Sequence, residues 1–400
     1  MAKDLLCVEI GNNKTKIVYG TFHNNLIDVK SYIIYSNSDK TFNYEGGLNI
    51  NEVFPQLMGY FKKMKVRRKN TYITLPNENT VVRTRELPRV KIKELSQMIK
   101  FEAEQFLPYN IEEFYIDFKV LEEIETDEAL LINTVIVAVP KGVVDDHVKL
   151  LDKTKQKIKV MSPYTDAVNS YASAMLTSDD TNIMIADIGE KFINMSVYQG
   201  ANYYASINSE IGVKNIVDIF SAKESLETSL AHDVLFGKLQ LDDIKNEVTS
   251  KTEDFEAANM LDEDIKDDSL VDFNALTNEL EDTDDGISKM DKLRRRMEIL
   301  SNGQVEMDEV KKATLNESYY EIFRELNRMV DFFRTRKFGT TLDVIYLCGG
   351  GANLTNLKEY LANVIGIDVK SVDEVRQNNL GIKAEDYNLL VSALGSALGR

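Results

Sequence analysis

Val8-Glu9-Ile10-Gly11-Asn12-Asn13-Lys14-Thr15-Lys16-Ile17-Val18-Tyr19 passes from an apolar stretch through an acidic residue, Ile-Gly and a polar turn into a second apolar stretch. Ala186-Asp187-Ile188-Gly189-Glu190-Lys191-Phe192-Ile193-Asn194-Met195-Ser196-Val197-Tyr198 repeats that order. Each reads as two strands joined by a tight turn, and a duplicated unit is the economical explanation. A third glycine segment closes another apolar run, Tyr346-Leu347-Cys348-Gly349-Gly350-Gly351-Ala352-Asn353-Leu354. Glycine permits unusual dihedrals and close approach to the backbone, so converging turn N–H groups suit a phosphate and a side-chain-free segment suits a flat ring.

Two such turns facing each other would grip a polyphosphate through Gly11, Asn12, Asn13 and Lys14 on one side and Gly189, Glu190 and Lys191 on the other. Lys16 would add positive charge, while Glu9 and Asp187 at the strand ends would hold Mg2+ through water. Asp187 is also the one side chain put forward for catalysis. His23, His147 and His232 are scattered and pair with no Ser or Cys signature, so no nucleophilic triad is read.

The chain has 400 residues, 43% of them hydrophobic, and a net charge of −17. That charge argues against nucleic acid or an anionic membrane as the main partner. It is concentrated: residues 242–285 hold seventeen Asp and Glu against Lys245, Lys251 and Lys266, or −14 of the total. This stretch reads as a surface insertion, within 240–290, of short helices and loops. Cys7 and Cys348 both lie in apolar runs rather than at metal-ligand spacing, which fits a reducing cytoplasm. No apolar run is long enough to span a bilayer.

The spacing elsewhere predicts an α/β chain. A meander over residues 5–34 leads to a helix over 51–64, with Phe54, Leu57, Met58 and Phe61 at helical spacing and Pro55 near its first turn. Strands are predicted at 72–75 and 80–87. Leu95, Ile99, Ala103 and Phe106 mark a helix over 93–106 that Pro108 stops. Strands at 115–121 and 130–139, a helix over 143–153 and a strand at 158–161 follow. Later helices are read at 315–333, 356–364 and 389–398.

The order of the three glycine turns resembles that of the actin-like ATPases, which include actin, sugar kinases, Hsp70 chaperones and FtsA. Within that group the chain resembles the PilM family of type IV pilus assembly. The matching run is Glu94-Leu95 to Ile99, Phe101-Glu102-Ala103-Glu104-Gln105-Phe106-Leu107-Pro108-Tyr109, Ile111-Glu112-Glu113 and Phe118-Lys119-Val120-Leu121. The resemblance implies an actin-like ATPase fold of duplicated RNase H-like domains with an FtsA/PilM-type extra subdomain. Residues 1–76 and 156–180 would form the first domain, with 385–400 returning to it. Residues 77–155 would form the inserted partner-binding subdomain, and 181–384 the second domain.

The resemblance further implies a cytoplasmic adaptor, binding ATP and Mg2+ and peripheral at the inner face of the membrane. It would capture the N-terminal tail of a PilN-like single-span inner-membrane protein through Ile99, Glu102, Phe106, Leu107 and Tyr109. The pilus motor ATPase and self-association stand as further partners. Gly212, Glu325, Arg328 and Gly349-Gly350-Gly351 would complete the nucleotide site. Three positions depart from the usual pattern: Glu9 for Asp, Ile193 for Thr and Gly212-Val213 for Gly-Gly. Together they imply slow or absent hydrolysis. The alternatives are an FtsA-like filament-forming tether, for which the final residues offer no basic amphipathic helix, and a sugar-kinase-like phosphotransferase, for which Asp166 would be the base.

Overall fold

The computed structural model describes residues 3–23, 26–43, 47–77, 80–107, 110–125, 130–241, 304–336, 340–375 and 381–399. Tyr109 and the acidic stretch 242–285 lie outside the described residues. By compactness the chain divides into one unit of Met1–Lys214 with Ile322–Arg400 and another of Asn215–Glu321.

In the first unit, the opening repeat becomes two sheets of one design. Strands β1 (Lys3–Ile10), β2 (Lys14–His23) and β3 (Leu26–Ser36) form an antiparallel meander. β4 (Asn70–Leu75) joins β1 in parallel and β8 (Lys157–Pro163) joins β4, giving the order β3-β2-β1-β4-β8. β9 (Ile183–Ile188), β10 (Ile193–Gln199) and β11 (Asn202–Ser209) repeat the meander. β12 (Val344–Cys348) and β13 (Asp368–Ser371) add in parallel, giving β11-β10-β9-β12-β13. A central strand covered on both faces is mostly apolar, and every residue of β9 is buried, Asp187 among them.

Helix α4 (Tyr164–Met175) and the helix here called α9 (Ala384–Leu398) belong to a core that takes side chains from both sheets, among them Leu5, Cys7, Ile183, Ile185, Tyr171, Leu390 and Leu394. Tyr171 and Tyr387 meet there edge to face, their hydroxyls 2.8 Å apart. α9 is buried at every residue from Leu390 to Ala397. Its Gly395 lies so near α4 that a Cβ would stand 1.9 Å from the Ala167 carbonyl oxygen.

A second core lies under α1 (Ile50–Lys63) and α3 (Lys141–Lys153), where Leu57, Phe61, Leu150 and Leu151 cover Leu6, Val8 and Ile10. The inward stripe of α1 is Val53, Leu57 and Phe61, while Met58 is 39% exposed. The helix starts at Ile50, so Pro55 falls in its second turn rather than its first, on an exposed side where its ring finds room.

The remaining sheet has the order β5 (Val81–Pro88), β7 (Leu130–Pro140), β6 (Phe114–Glu125), antiparallel throughout. α2 (Ile92–Phe106) packs Leu95 and Ile99 on Leu87, Ile132 and Ile136. In the second unit, the described elements are most of α5 (Val213–Glu224), α6 (Thr228–Leu235) and the start of α7 (Gln304–Arg336). Phe220, Ala231 and Leu235 are buried there, and Lys223 pairs with Glu317. Helix α8 (Leu357–Ile365) returns to the first unit. No helix among the described residues is long and apolar enough to cross a membrane.

Candidate functional site

The two hairpin turns are built alike. Gly11 N donates to Lys14 O at 3.0 Å, and Gly189 N donates to Phe192 O at 2.9 Å. Asn37 braces the first turn: its Nδ2 donates to Gly11 O at 2.5 Å and its Oδ1 accepts from Thr15 Oγ1 at 2.7 Å. Val213 N and Lys214 N donate back to Gly189 O and Glu190 O, both at 3.0 Å. That approach requires Gly212, where a Cβ would lie 2.4 Å from Glu190 O. Asn13 Nδ2 donates to Glu190 Oε2 at 3.2 Å, so the turns face each other as the repeat predicts.

Glu9 and Lys16 are opposite one another across β1 and β2 and are both buried. Lys16 Nζ donates to Glu9 Oε1 at 2.6 Å and to Ser392 Oγ at 3.3 Å, while Ser392 Oγ donates to Glu9 Oε2 at 2.5 Å. Thr74 Oγ1 in turn donates to Ser392 O at 3.0 Å. Both oxygens of Glu9 are therefore engaged. In the second hairpin Asn194 stands opposite Asp187 where the first has Lys16. Asp187 is 2% exposed, and Tyr164 OH donates to its Oδ2 at 2.8 Å while Oδ1 accepts no hydrogen bond. Burial pushes its carboxyl up to about 6, against the opposing pull of the Lys16 charge.

The glycine segment is shaped by packing as much as by any ligand. Gly349 has φ +78°, and a Cβ there would stand 2.4 Å from Asp187 Oδ1. A Cβ on Gly351 would stand 2.2 Å from Ile188 Cγ2. Gly350 differs, with only Leu389 Cδ2 at 3.6 Å. Asn388 holds the segment by accepting Gly349 N at its carbonyl, 2.9 Å, while its side chain donates to Asn353 Oδ1 and Asp373 Oδ1. On α7, Glu325 is buried; Arg328 Nη2 approaches Oε2 to 3.0 Å without hydrogen-bond geometry, leaving that oxygen a spare acceptor.

These residues fit a nucleoside polyphosphate: paired glycine turns, a buried ammonium and a bare glycine face. The acidic pair fits a protein-held Mg2+ poorly, because Lys16 and Ser392 already satisfy Glu9. Among the described residues, no group of three His, Cys, Asp or Glu side chains is placed to hold a metal ion. Ser392, Tyr164, Asn37 and Asn388 carry much of this geometry and went unread in the sequence. Only their place in the fold gives them meaning.

The described residues read as partner-binding lie together on α2 and at its C-terminal end. Ile99 is 1% exposed inside the small-sheet core, so a partner cannot reach it without unfolding that sheet. Glu102 pairs with Arg85 at 3.4 Å, and the Arg85 guanidinium lies over the half-buried Phe106 ring at 5.5 Å. Leu107 is half-buried at the helix end. On another side, a cleft of about 260 Å³ lies between the small sheet and α4, lined by Val82, Lys119 and Val137 from the sheet and Asp166, Asn169 and Ser173 from the helix. Asn169 Oδ1 is buried without a hydrogen-bond partner.

The family described as type IV pilus assembly protein PilM matches residues 7–225, more than half the chain. A solved PilM-PilN type IV pilus biogenesis complex is similar at 18% identity and TM-score 0.68, covering 98% of this chain and 97% of that one. Ethanolamine utilization protein EutJ from Carboxydothermus hydrogenoformans is similar at 10% identity and TM-score 0.50, covering 100% and 90%. No curated protein matches. The fold is of the actin-like kind, and this chain belongs to the PilM family of type IV pilus assembly proteins.

Proposed function

We propose that the chain is a nucleotide-holding adaptor that captures the N-terminal tail of a PilN-like inner-membrane protein, at the cytoplasmic face of the membrane. The observation that carries this reading is the cleft between the small sheet and α4, in a chain whose family is PilM and whose solved relative is a PilM-PilN complex. Residues 77–155 are then the partner-binding subdomain. An extended tail would bury apolar side chains against Val82 and Val137, and the spare Asn169 Oδ1 would accept a main-chain N–H. Ser173 is exposed on the cleft's helical wall, so Ser173→Phe fills the cleft without entering the core. Titrating a synthetic PilN-type tail peptide against the full chain should show affinity falling at least about tenfold in that variant. Equal binding by both proteins would remove the cleft from the proposal.

ATP would lie with its phosphates on Gly11, Asn12, Asn13, Lys14, Gly189, Glu190 and Lys191, its base on Gly350 and its ribose near Glu325 and Arg328. When bound it supplies polyphosphate charge that the turn N–H groups and Lys16 meet. Mg2+ would arrive on the phosphates rather than on Glu9. Hydrolysis is expected to be slow or absent because Glu9, Ile193 and Val213 depart from the usual pattern, with Asp187 the one side chain placed to act on a water. Gly350→Ala should change stability by less than about 0.5 kcal/mol, since the new methyl meets only Leu389 Cδ2 at an ordinary contact distance of 3.6 Å. The same methyl should weaken ATP binding severalfold by calorimetry; unchanged affinity would move the base elsewhere.

A further inference from the structure

The Glu9, Lys16 and Ser392 contacts separate this site from one that needs a divalent cation. The Glu9 carboxylate has one oxygen on an ammonium at 2.6 Å and the other on a hydroxyl at 2.5 Å. Ser392 sits 1% exposed on a helix that is buried through this stretch, so the hydroxyl has little freedom to withdraw. A divalent ion drawn to Glu9 would have to displace the ammonium and leave it buried without its partner, which is costly. The charge of Lys16 also acts on Asp187, and its Nζ lies 6.0 Å from the ring of Tyr164, whose hydroxyl holds Asp187 Oδ2. The ammonium thus stands in the field of both carboxylates, the position in which a metal would be useful.

We infer that the site needs no divalent cation to bind a nucleoside polyphosphate, the Lys16 ammonium serving as its resident cation. This rests on the nucleotide reading given above and adds to it the form of nucleotide that is bound, the metal-free anion as readily as the magnesium complex. Glu9 then acts as a positioning residue that holds Lys16 in the field of Asp187, and Ser392 fixes Glu9.

Calorimetric titration of the full chain with ATP, once in EDTA and once with excess Mg2+, tests it. Dissociation constants within about threefold of each other are expected. Binding with Mg2+ that weakens by about tenfold or more in EDTA would overturn the inference and leave the nucleotide reading standing. No binding in either buffer would overturn both. The double variant Glu9→Gln with Lys16→Met keeps an acceptor for Ser392 and takes from Asp187 both the Lys16 attraction and the Glu9 repulsion. It should melt near the parent temperature yet lose at least about tenfold in EDTA affinity; a folded double variant with parental affinity would show that Lys16 is not the cation.

Discussion

Gly395→Ala is expected to lower the unfolding free energy by about 3 kcal/mol or more, at the upper end of overpacking effects. The new Cβ would stand 1.9 Å from the Ala167 carbonyl oxygen and 2.7 Å from its carbon, atoms of a helix backbone that cannot rotate aside. The two helices must separate, and α9 carries both Ser392 and Asn388 with it. Nucleotide affinity should therefore fall together with stability. A thermal melt should drop by roughly 5 °C or more, and a shift below about 1 °C would mean the helices do not pack so closely.

Asp187→Asn should act in the opposite direction. The folded carboxyl titrates at about 6 against an ordinary value of 3.8, because it is buried. Between those values the folded chain holds a proton that the unfolded chain has released. This group's contribution to stability is thus full below 3.8 and is lost as pH rises to about 6. At neutral pH the charged form costs roughly 3 kcal/mol, from 1.36 kcal/mol per unit. Asparagine keeps an acceptor for Tyr164 and removes the charge. The variant should be more stable than the parent at pH 7, with the gap closing toward pH 4. Chemical denaturation at several pH values checks this, and a gap that stays constant with pH would show that Asp187 is not the cause.

The hairpin turns were legible because an acidic residue, Ile and Gly between two apolar runs leave few alternatives, and their repetition forecast two sheets of one order. β7 was legible as a strand because Leu130 to Val139 is apolar except at Asn133 and Thr134. α4 was not. Tyr164-Thr165-Asp166-Ala167-Val168-Asn169-Ser170-Tyr171-Ala172-Ser173 makes close contact through small side chains, so no broad apolar stripe marks it. Met58 was misplaced for a related reason: apolar character fixed the helix but not its rotation, which Val53, Leu57 and Phe61 decide. In the site, glycines and acids announce themselves, whereas the serine that locks Glu9 looks like any small residue on α9. Ile99 was read as reaching a partner because the family run includes it, and its burial shows that such a run can encode a core.

The hydroxyl of Ser392 meets Glu9 across 383 positions of sequence. At a synthesis rate of about 5–20 residues per second, the first hairpin would exist for on the order of tens of seconds before Ser392 emerged. Throughout that interval Glu9 lacks the Ser392 hydroxyl, and one of its oxygens is without its partner. On the proposed nucleotide reading, affinity would require the chain as far as Ser392, and fragments ending before it would lack that contact.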